Sequence, residues 1–330
     1  MSQQATYNYD SNGRLTSVSF SNGFQIAYNY DSVGNRTTVA TVSGNIVLNG
    51  FRFSLSSTDP APTSDTLAAT TGYLVPYTSD AITLAASDGS LFTDSTNGAS
   101  LSLSFSAFTA GNVYRIFLSD PTASGSPTLS ATQWTNSSTP GASLALTPAT
   151  PGGFLVLSSD HTKRYIGDVY CTANGQVNDA AKDRGVFNQS NKVLRVCAAI
   201  DNAAAWSVAS AAVQTRNHNT TEGVGRFGLM LGESPEAMDV NMQGYGHGSG
   251  TGTNYGMGFG VDITNNFTRV GLVTGVAATI DTALRANFIY QPATGRHFFQ
   301  AMESGASGGS FSLKSGFAID ATILEALVKI

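Results

Sequence analysis

The chain has 330 residues, of which only 12% are charged, and its formal net charge is −5. Ordinary soluble domains carry about 25% charged residues; here small residues take their place, among them 35 glycines. The acidic balance argues against a nucleic-acid partner, because such proteins present basic surfaces to phosphates. No apolar run approaches the roughly 20 residues of a membrane helix, so we expect no membrane insertion. The first residues, MSQQATYNYD, do not resemble a signal peptide.

The first 43 residues contain one short motif written twice. The stretch YNYDSNGR at Tyr7–Arg14 returns as YNYDSVGNR at Tyr28–Arg36. Between the two copies, apolar and polar residues alternate, which is the pattern of half-buried strands. We therefore expect residues 1–43 to form a β-meander that serves as an N-terminal module.

Three dipeptides mark the expected turns of this meander. Asn22-Gly23 lies between two alternating runs, and a two-residue type I′ hairpin turn favours this pair because both residues take positive φ. Asn12-Gly13 and Gly34-Asn35 carry the same residue types and predict turns inside the two copies of the motif.

Residues 44–165 read as a series of short strands. Phe51, Phe53 and Leu55 alternate with polar neighbours, and VYRIFL at Val113–Leu118 is a continuous apolar run suited to burial on both faces. Clusters of Pro, Gly, Asp and Ser separate these runs. Strands at this spacing predict a β-sandwich.

The remaining residues are divided between a connector and a second sandwich. Residues 166–195 predict an irregular connector in which NDAAKDR, Asn178–Arg184, forms a short helix. Residues 196–330 return to alternating runs and predict a second β-sandwich. Within it, Asn202–Val213 is alanine-rich but keeps a period of two and is read as strand, whereas Ala321–Ile330 fits helix and strand equally. The predicted fold class is all-β, a short β-hairpin module followed by two jelly-roll-like sandwiches.

The two cysteines, Cys171 and Cys197, are too few for a disulfide scaffold or a structural zinc site. We expect two buried thiols that pack as small apolar groups, with a single disulfide between neighbouring strands as the alternative. Neither cysteine stands in a CxxC motif, so we expect no redox catalysis.

The histidines give no sign of a metal site. None of them stands in a zinc-binding spacing such as HxxxH or HExxH. They are His161, His218, His247 and His297. The glycine-rich stretch at 244–260 lacks both GK[ST] and a GxGxxG followed by a helix, so phosphate binding is not expected. We predict neither a metal nor a cofactor.

Four acidic residues close together in the sequence raise the question of glycan hydrolysis. They are Glu222, Glu233, Glu236 and Asp239. Glycoside hydrolysis requires two carboxylates roughly 5 to 9.5 Å apart, and a surface loop accounts for the cluster without that chemistry. We assign no catalytic residue and expect that the protein is not an enzyme.

The glycine-rich stretch is the best candidate for contact with a glycan at a host surface. It predicts a long loop or bulged strands that carry Tyr245, His247 and Tyr255, and loops often present binding residues. Trp134 is a fourth candidate because an indole ring can stack on a sugar, whereas Trp206 is expected in the core.

The opening motif resembles the YD repeat of Rhs and teneurin-type proteins, whose pattern is Tyr-x-Tyr-Asp-x-x-Gly-Arg. In Rhs proteins dozens of such repeats coil into a β-shell that encloses a toxin, whereas this chain has two. The resemblance covers about a tenth of the chain and implies a borrowed two-hairpin module that attaches to other proteins. The candidate attachment residues are Tyr7, Tyr9, Asp10, Tyr28, Tyr30 and Asp31.

The stretch from Asn49 to Val213 resembles, in the order of its segments, a family of bacteriophage tail-fibre and virion structural proteins. The segments include NGFRFSLSSTDPAPTSD, LSLSFSAFTAGNVYRIFL and KRYIGDVY. The resemblance implies a non-enzymatic virion protein, a fibre, spike or capsid decoration, made in the bacterial cytoplasm and attached through its N-terminus to capsid, neck or tail proteins. It brings no catalytic residues.

A homotrimer is the expected assembly, in which apolar outer faces such as Phe298-Phe299 are buried between subunits. Two other functions stay open at the level of the sequence. One is a tailspike that degrades polysaccharide with carboxylates from adjacent subunits, and the other is an Rhs-derived bacterial surface or toxin fragment.

Overall fold

The computed structural model describes residues 5–20, 25–42, 48–150, 152–202, 205–208, 211–248, 253–276, 282–305, 311–314 and 322–330. Over these ranges the chain is all-β, as predicted, and its only helical turns are 3₁₀ helices at Ala142–Leu144 and Arg216–His218. Within the same ranges no helix has the length and apolar character needed to cross a membrane.

The first half of the chain forms short strands, as its closely spaced turn residues require. In chain order they are β1 (Ala5–Tyr9), β2 (Leu15–Phe20), β3 (Gln25–Tyr30), β4 (Arg36–Val42), β5 (Phe51–Ser54), β6 (Thr66–Ala69), β7 (Thr71–Pro76), β8 (Ala81–Ala85), β9 (Leu91–Ser95), β10 (Leu101–Ser104), β11 (Val113–Ser119), β12 (Thr128–Gln133), β13 (Leu146–Pro148) and β14 (Leu155–Leu157).

The second half contains longer strands. They are β15 (Asp160–Ala173), β16 (Gln176–Ala180), β17 (Asp183–Arg184), β18 (Val186–Asn188), β19 (Leu194–Asp201), β20 (Ala205–Val208), β21 (Gln214–Thr215), β22 (Arg226–Leu231), β23 (Met238–Gly248), β24 (Thr253–Val261), β25 (Arg269–Val276), β26 (Thr282–Tyr290), β27 (Gly295–Gly305), β28 (Phe311–Lys314) and β29 (Thr322–Lys329).

The N-terminal module is the predicted meander. Its four strands pair antiparallel in the order β1-β2-β3-β4. The turns predicted inside the two motif copies are confirmed, since Gly13 (φ 73°) and Gly34 (φ 96°) occupy the left-handed region that glycine tolerates best. The turn predicted at Asn22-Gly23 includes residues outside the described ranges.

The rest of the chain is organised around one large sheet. Its main path runs β12-β11-β15-β16-β17-β22-β27-β24-β25. A three-stranded sheet (β10-β7-β5) and the β8-β9 hairpin pack on one face, and a six-stranded sheet (β19-β29-β23-β28-β20, with β26 beside β23) packs on the other. The sheets pack face to face, as in a β-sandwich.

The large sheet separates two hydrophobic cores, and β11 contributes to both. Ile116 and Leu118 pack into the first core, together with Phe53 and Phe105. Phe117 points to the opposite face and packs into the second core. This alternation confirms the prediction that the apolar run Val113–Leu118 is a strand buried on both faces.

The short helix predicted at Asn178–Arg184 is wrong. The segment forms the end of β16, a turn and β17. Asp179 lies opposite Arg184 in this tight hairpin, and their side chains form a buried ion pair at 3.3 Å. Polar composition suggested a helix, but the charged side chains satisfy each other across two strands. Residues 166–195, predicted to be an irregular connector, are accordingly occupied mostly by strands.

The structure decides three smaller expectations, two about strands and one about the cysteines. The alanine-rich segment was read as strand, and β20 confirms this over Ala205–Val208. The C-terminal segment that fitted two structures is the strand β29. Both cysteines are free and buried, which excludes the disulfide alternative, and burial raises the pKa of the Cys197 thiol to about 12.

Candidate interaction surfaces

The aspartate of the first repeat builds its turn. One carboxylate oxygen of Asp10, Oδ1, accepts hydrogen bonds from the backbone N–H groups of Asn12 and Arg14, both at 2.9 Å. The other, Oδ2, accepts one from Arg14 Nε at 2.7 Å. The bond from the Arg14 backbone contributes most to a lowered pKa of Asp10. Asp10, predicted as an attachment residue, therefore serves the turn as an Asx-type cap.

The second repeat uses the same device with a weaker partner. Asp31 accepts from the backbone N–H groups of Val33 (3.1 Å) and Asn35 (2.8 Å). Where the first repeat has an arginine, the second has Asn35, whose Nδ2 donates to Asp31 Oδ2 at 3.1 Å. Asp31 is thus also a turn residue, and the second turn lacks an ion pair between these positions.

Arginine and tyrosine connect the two repeats. The Arg14 guanidinium lies 4.8 Å from the centroid of the Tyr30 ring, close enough for a cation–π interaction. The Tyr30 hydroxyl donates to the carbonyl of Leu15 at 2.9 Å. Arg36 lies over Tyr28 at 5.9 Å. Tyr28 and Tyr30, predicted as attachment residues, therefore contribute to the internal contacts of the module.

The remaining two candidate attachment residues are exposed. Tyr7 and Tyr9 lie on β1 with 56% and 61% of their surface accessible. In the described part of the chain, β1 pairs only with β2 and β4 only with β3, so both are edge strands. Unpaired backbone groups at a strand edge are suited to pairing with another chain. We call β1, with its two exposed tyrosines, the module edge.

Trp134 and Tyr255 do not lie on a surface. Trp134 is 2% exposed, and its Nε1 donates to Asp168 at 3.0 Å. Tyr255 is fully buried, and its hydroxyl donates to Glu303 at 3.0 Å. A buried ring presents no face to a sugar, so the structure removes both from the candidate glycan contacts. Tyr245 and His247 belong to β23, and their side chains lie outside the described set.

The four acidic residues that are close in sequence each contact a different partner. Glu236 pairs with Lys329 at 3.3 Å, and Glu222 lies 3.7 Å from Arg296. The other two are Glu233, which binds Arg115 at 2.8 Å, and Asp239, which accepts from Asn287 at 2.8 Å. Each of the four is thus engaged by its own partner.

The three histidines whose side chains are described have different surroundings. His161 and His218 are exposed. His297 is buried between the Asp262 carboxylate, 2.7 Å from Nδ1, and the carbonyl of Ala293, 3.1 Å from Nε2. Among the residues that the structure describes, no three His, Cys, Asp or Glu side chains come together as a metal site.

A buried polar network lies between the large sheet and the loops beside it. Arg115 and Asp168 have fully buried side chains and form an ion pair at 3.1 Å. Arg115 also donates to the carbonyl of Leu144 at 2.8 Å, and the Tyr165 hydroxyl donates to Asp168. Burial raises the pKa of Asp168, an effect that the Arg115 guanidinium opposes. Because the pair is closed to solvent, it suits a structural role.

The outer face of the six-stranded sheet carries exposed apolar side chains. In its register, Val196 lies opposite Leu327, Leu327 opposite Asp239, and Asp239 opposite Ile289, so these four share one row on one face. We call this side the outer face; its exposed apolar members are Leu194, Val196, Ile200, Leu327 and Ile289. The second core covers the opposite side of the sheet. Such a grouping is typical of a protein contact surface.

Phe298-Phe299 does not form the expected outer patch. Phe299 is fully buried in the second core, stacked on Phe227 with ring centroids 5.0 Å apart. Phe298 points the other way, is half-buried and lies beneath the guanidinium of Arg226. Adjacent residues of a strand face opposite sides, so only one of the two rings could have been outside. Sequence reasoning missed the apolar members of the outer face because they are widely separated along the chain.

The chain carries an RHS repeat: the model of the family described as RHS Repeat matches residues 9–46. This segment contains the end of the first motif copy and the whole of the second. No curated protein sequence matches the chain.

Two solved structures show remote similarity to the chain. The insecticidal delta-endotoxin Cry8Ea1 of Bacillus thuringiensis matches with 10% identity and a TM-score of 0.22, over 81% of this chain and 50% of the toxin. The protein of T=1 particles derived from infectious bursal virus matches with 11% identity and a TM-score of 0.27, over 99% of this chain and 72% of that one. The chain therefore spans about half of the toxin's length, and these TM-scores are too low to carry a functional argument.

Proposed function

We propose that the protein is a non-enzymatic structural component of a tailed-bacteriophage virion, a fibre, spike or capsid decoration, that attaches to other virion proteins through its N-terminal module. The resemblance of residues 49–213 to virion proteins supports the class. The observation that carries the attachment is the module edge, where two large exposed tyrosines flank unpaired backbone groups.

The module is suited to docking by strand addition. An extended segment of another virion protein would pair with the backbone of β1, and main-chain hydrogen bonds would supply affinity. Tyr7 and Tyr9 would cover that segment with amphipathic rings, which are favoured at protein interfaces. Asp10 and Arg14 fix the conformation of the adjoining turn. The module would therefore lose little conformational entropy on binding.

Incorporation into particles tests this attachment. We expect the double variant Tyr7→Ser/Tyr9→Ser to fold normally but to be at least tenfold depleted from purified virions, because loss of about 1.4 kcal/mol at an interface lowers affinity tenfold. The matched control is Tyr77→Ser, which removes an exposed tyrosine outside the module. The amount of chain per particle is measured by quantitative mass spectrometry. Normal incorporation of the double variant and of a chain lacking residues 1–43 would sink the proposal.

We further propose that copies of the chain associate through the outer face as a homotrimer. The face is supported as an interface by its five exposed apolar side chains, which would be removed from water in an assembly. Several copies on one particle would also allow contact with a host surface glycan through many weak sites.

The mass of the purified chain in solution tests the trimer. We expect light scattering after size exclusion to give three times 34.3 kDa. Ile289→Lys places a charge at the most exposed position of the outer face and is expected to reduce the mass to one chain, whereas Leu67→Lys, at an exposed leucine elsewhere, leaves it unchanged. A wild-type mass of 34.3 kDa would exclude the trimer.

A further inference from the structure

The two hairpins of the N-terminal module are one structure repeated. In the first hairpin Tyr7 lies opposite Val18, and in the second Tyr28 lies opposite Val39, so both partners have moved by 21 residues. In each hairpin the asparagine after the tyrosine donates to a hydroxyl on the partner strand, at 2.9 Å in the first and 2.8 Å in the second. Both hairpins also shift register directly after that asparagine. The module therefore consists of two equivalent structural units.

The two units are joined by β2 and β3. These strands pair antiparallel, with Val18 opposite Ile26. Across the junction the Tyr30 hydroxyl donates to the carbonyl of Leu15 at 2.9 Å, and the guanidinium of Arg14 lies over the Tyr30 ring. Val18 is buried, because β2 has a neighbouring strand on each side. Each unit thus covers one edge of the other.

The two outer strands of the module lack this second neighbour. Within the described residues, β1 pairs only with β2 and β4 only with β3. Tyr7 of β1 is the counterpart of Tyr28 of β3, yet Tyr7 is 56% exposed whereas Tyr28 is partly buried. Val39 of β4 is the counterpart of Val18 and is 50% exposed, against 6% for Val18. The two edges therefore present the two halves of the contact that β2 and β3 make with each other.

We propose that β4 of one copy of the chain pairs antiparallel with β1 of a second copy, in the register that β2 and β3 use. A shift by one unit places Val39 opposite Ala5 of the second copy and Thr38 opposite its Thr6. This inference rests on the attachment proposed above and names the partner of the module edge as a second copy. In the proposed trimer, three such junctions would close the modules into a ring, as head-to-tail contacts do when their rotation closes.

The junction between copies keeps one contact of the internal junction and loses another. Tyr9 of the second copy would donate to the carbonyl of Arg36, which repeats the bond that Tyr30 makes across the internal junction. Asn35 stands where the first unit has Arg14, so the cation–π contact has no counterpart. The pairing between copies is therefore weaker than the pairing inside the chain. It depends on the outer face to hold the copies close together, because a linked second contact forms at a high effective concentration.

Pairs of cysteines in the full-length chain test the register. We expect Ala5→Cys/Val39→Cys and Thr6→Cys/Thr38→Cys to form disulfides between copies under mild oxidation, because opposite residues of paired strands have Cβ atoms about 4.5–5.5 Å apart. Adjacent pairs alternate between the two pairing types of an antiparallel ladder, so at least one of the two variants has the shorter separation that a disulfide needs. Within one copy the two edges are three strand spacings of about 4.8 Å apart, too far for a disulfide.

A mismatched pair and the wild-type chain are the controls. Ala5→Cys/Thr38→Cys uses positions from the same two strands, but the two side chains project from opposite faces of the paired sheet. We expect it to give less than about a tenth of the linked dimer and trimer that the better matched variant gives on a non-reducing gel. The wild-type chain should not be linked, since Cys171 and Cys197 are buried.

Two results would overturn the junction: no linking in either matched variant, or equal linking in the mismatched one. If one matched variant does not fold by circular dichroism, the other decides. Failure of the junction is distinguishable from failure of the proposed assembly. A light-scattering mass of three chains without linking would overturn the junction alone, whereas a mass of one chain with linking at a matched pair would exclude the trimer and keep the junction.

Discussion

Replacement of Arg115 by methionine is expected to destabilise the chain by about 3–5 kcal/mol, the usual cost of removing one partner of a buried ion pair. The cation binds Asp168, Glu233 and the carbonyl of Leu144. Methionine fills most of the volume but donates no hydrogen bond, so the carboxylate of Asp168 is left in the interior without its counter-charge. Urea unfolding followed by tryptophan fluorescence, to which Trp134 contributes from its contact with this network, measures the loss.

The matched control removes a cation from an exposed position on the neighbouring strand β15, which also carries Asp168. Lys163 pairs with Asp160 at 3.4 Å, and both side chains are more than a third exposed. We expect Lys163→Met to change stability by about 1 kcal/mol or less, as exposed pairs do. Equal effects of the two substitutions would show that the buried pair stabilises the fold no more than a surface pair does.

The cost of Arg115→Met should depend on pH in a defined direction. Burial already raises the pKa of Asp168 and Arg115 opposes this rise, so loss of the arginine leaves the folded-state pKa further above its unfolded value. The folded variant then binds a proton more tightly than the unfolded chain does. The stability that the variant lacks relative to the wild type therefore becomes smaller as the pH is lowered. The double variant Arg115→Met/Asp168→Asn should recover part of the lost stability.

Most of the strands were predictable from the sequence because they depend on local pattern; those within residues 166–195 were not. The run Val113–Leu118 is apolar at every position but one, Arg115, and a strand buried on both faces needs no more information than that. The turns at Gly13 and Gly34 were predictable for a similar reason, since few residues other than glycine adopt their backbone conformation without strain.

The partners of buried charges were not predictable, because they lie far apart along the chain. Arg115 and Asp168 are 53 residues apart, and Arg115 and Glu233 are 118 apart. Arg52 was read as the polar member of an alternating strand, yet it is 3% exposed and donates to the carbonyls of Pro60 and Asn191. A sequence pattern shows that a charge is present but not which distant backbone group will receive it.

Whether a predicted contact residue is exposed also depends on which distant strands surround it. Tyr255 stood in a glycine-rich stretch that was predicted to be a long loop or bulged strands. The glycines of this stretch that the structure describes belong to β23 and β24, where their small size allows the close approach of neighbouring groups. Gly258, for example, has no room for a Cβ beside the carbonyl of Arg269. In the module, by contrast, few strands surround the motif, and Tyr7 and Tyr9 remain accessible.

Substitution of Phe299 by alanine is expected to cost about 3–5 kcal/mol, the usual range for truncating a buried phenylalanine. The ring is fully buried, stacks on Phe227, and meets Phe259 and Tyr290 with centroids 5.8 Å away in each case. Alanine would leave a cavity bordered by three aromatic rings, which rigid strands cannot collapse to fill. The free energy of unfolding in urea measures the cost.

Phe298 provides a matched control, because its side chain differs from that of Phe299 only in the face of the strand from which it projects. Phe298 belongs to the same strand but faces away from the core, where its ring lies 5.0 Å from the Arg226 guanidinium. Phe298→Ala removes an identical side chain, and we expect it to cost about 1 kcal/mol, the size of a partly exposed cation–π contact. Similar costs at the two positions would contradict the register in which Phe227 lies opposite Phe299. A cost at Phe298 that depends on protein concentration would instead place that ring in an interface between copies, since association adds to stability only when the partner is present.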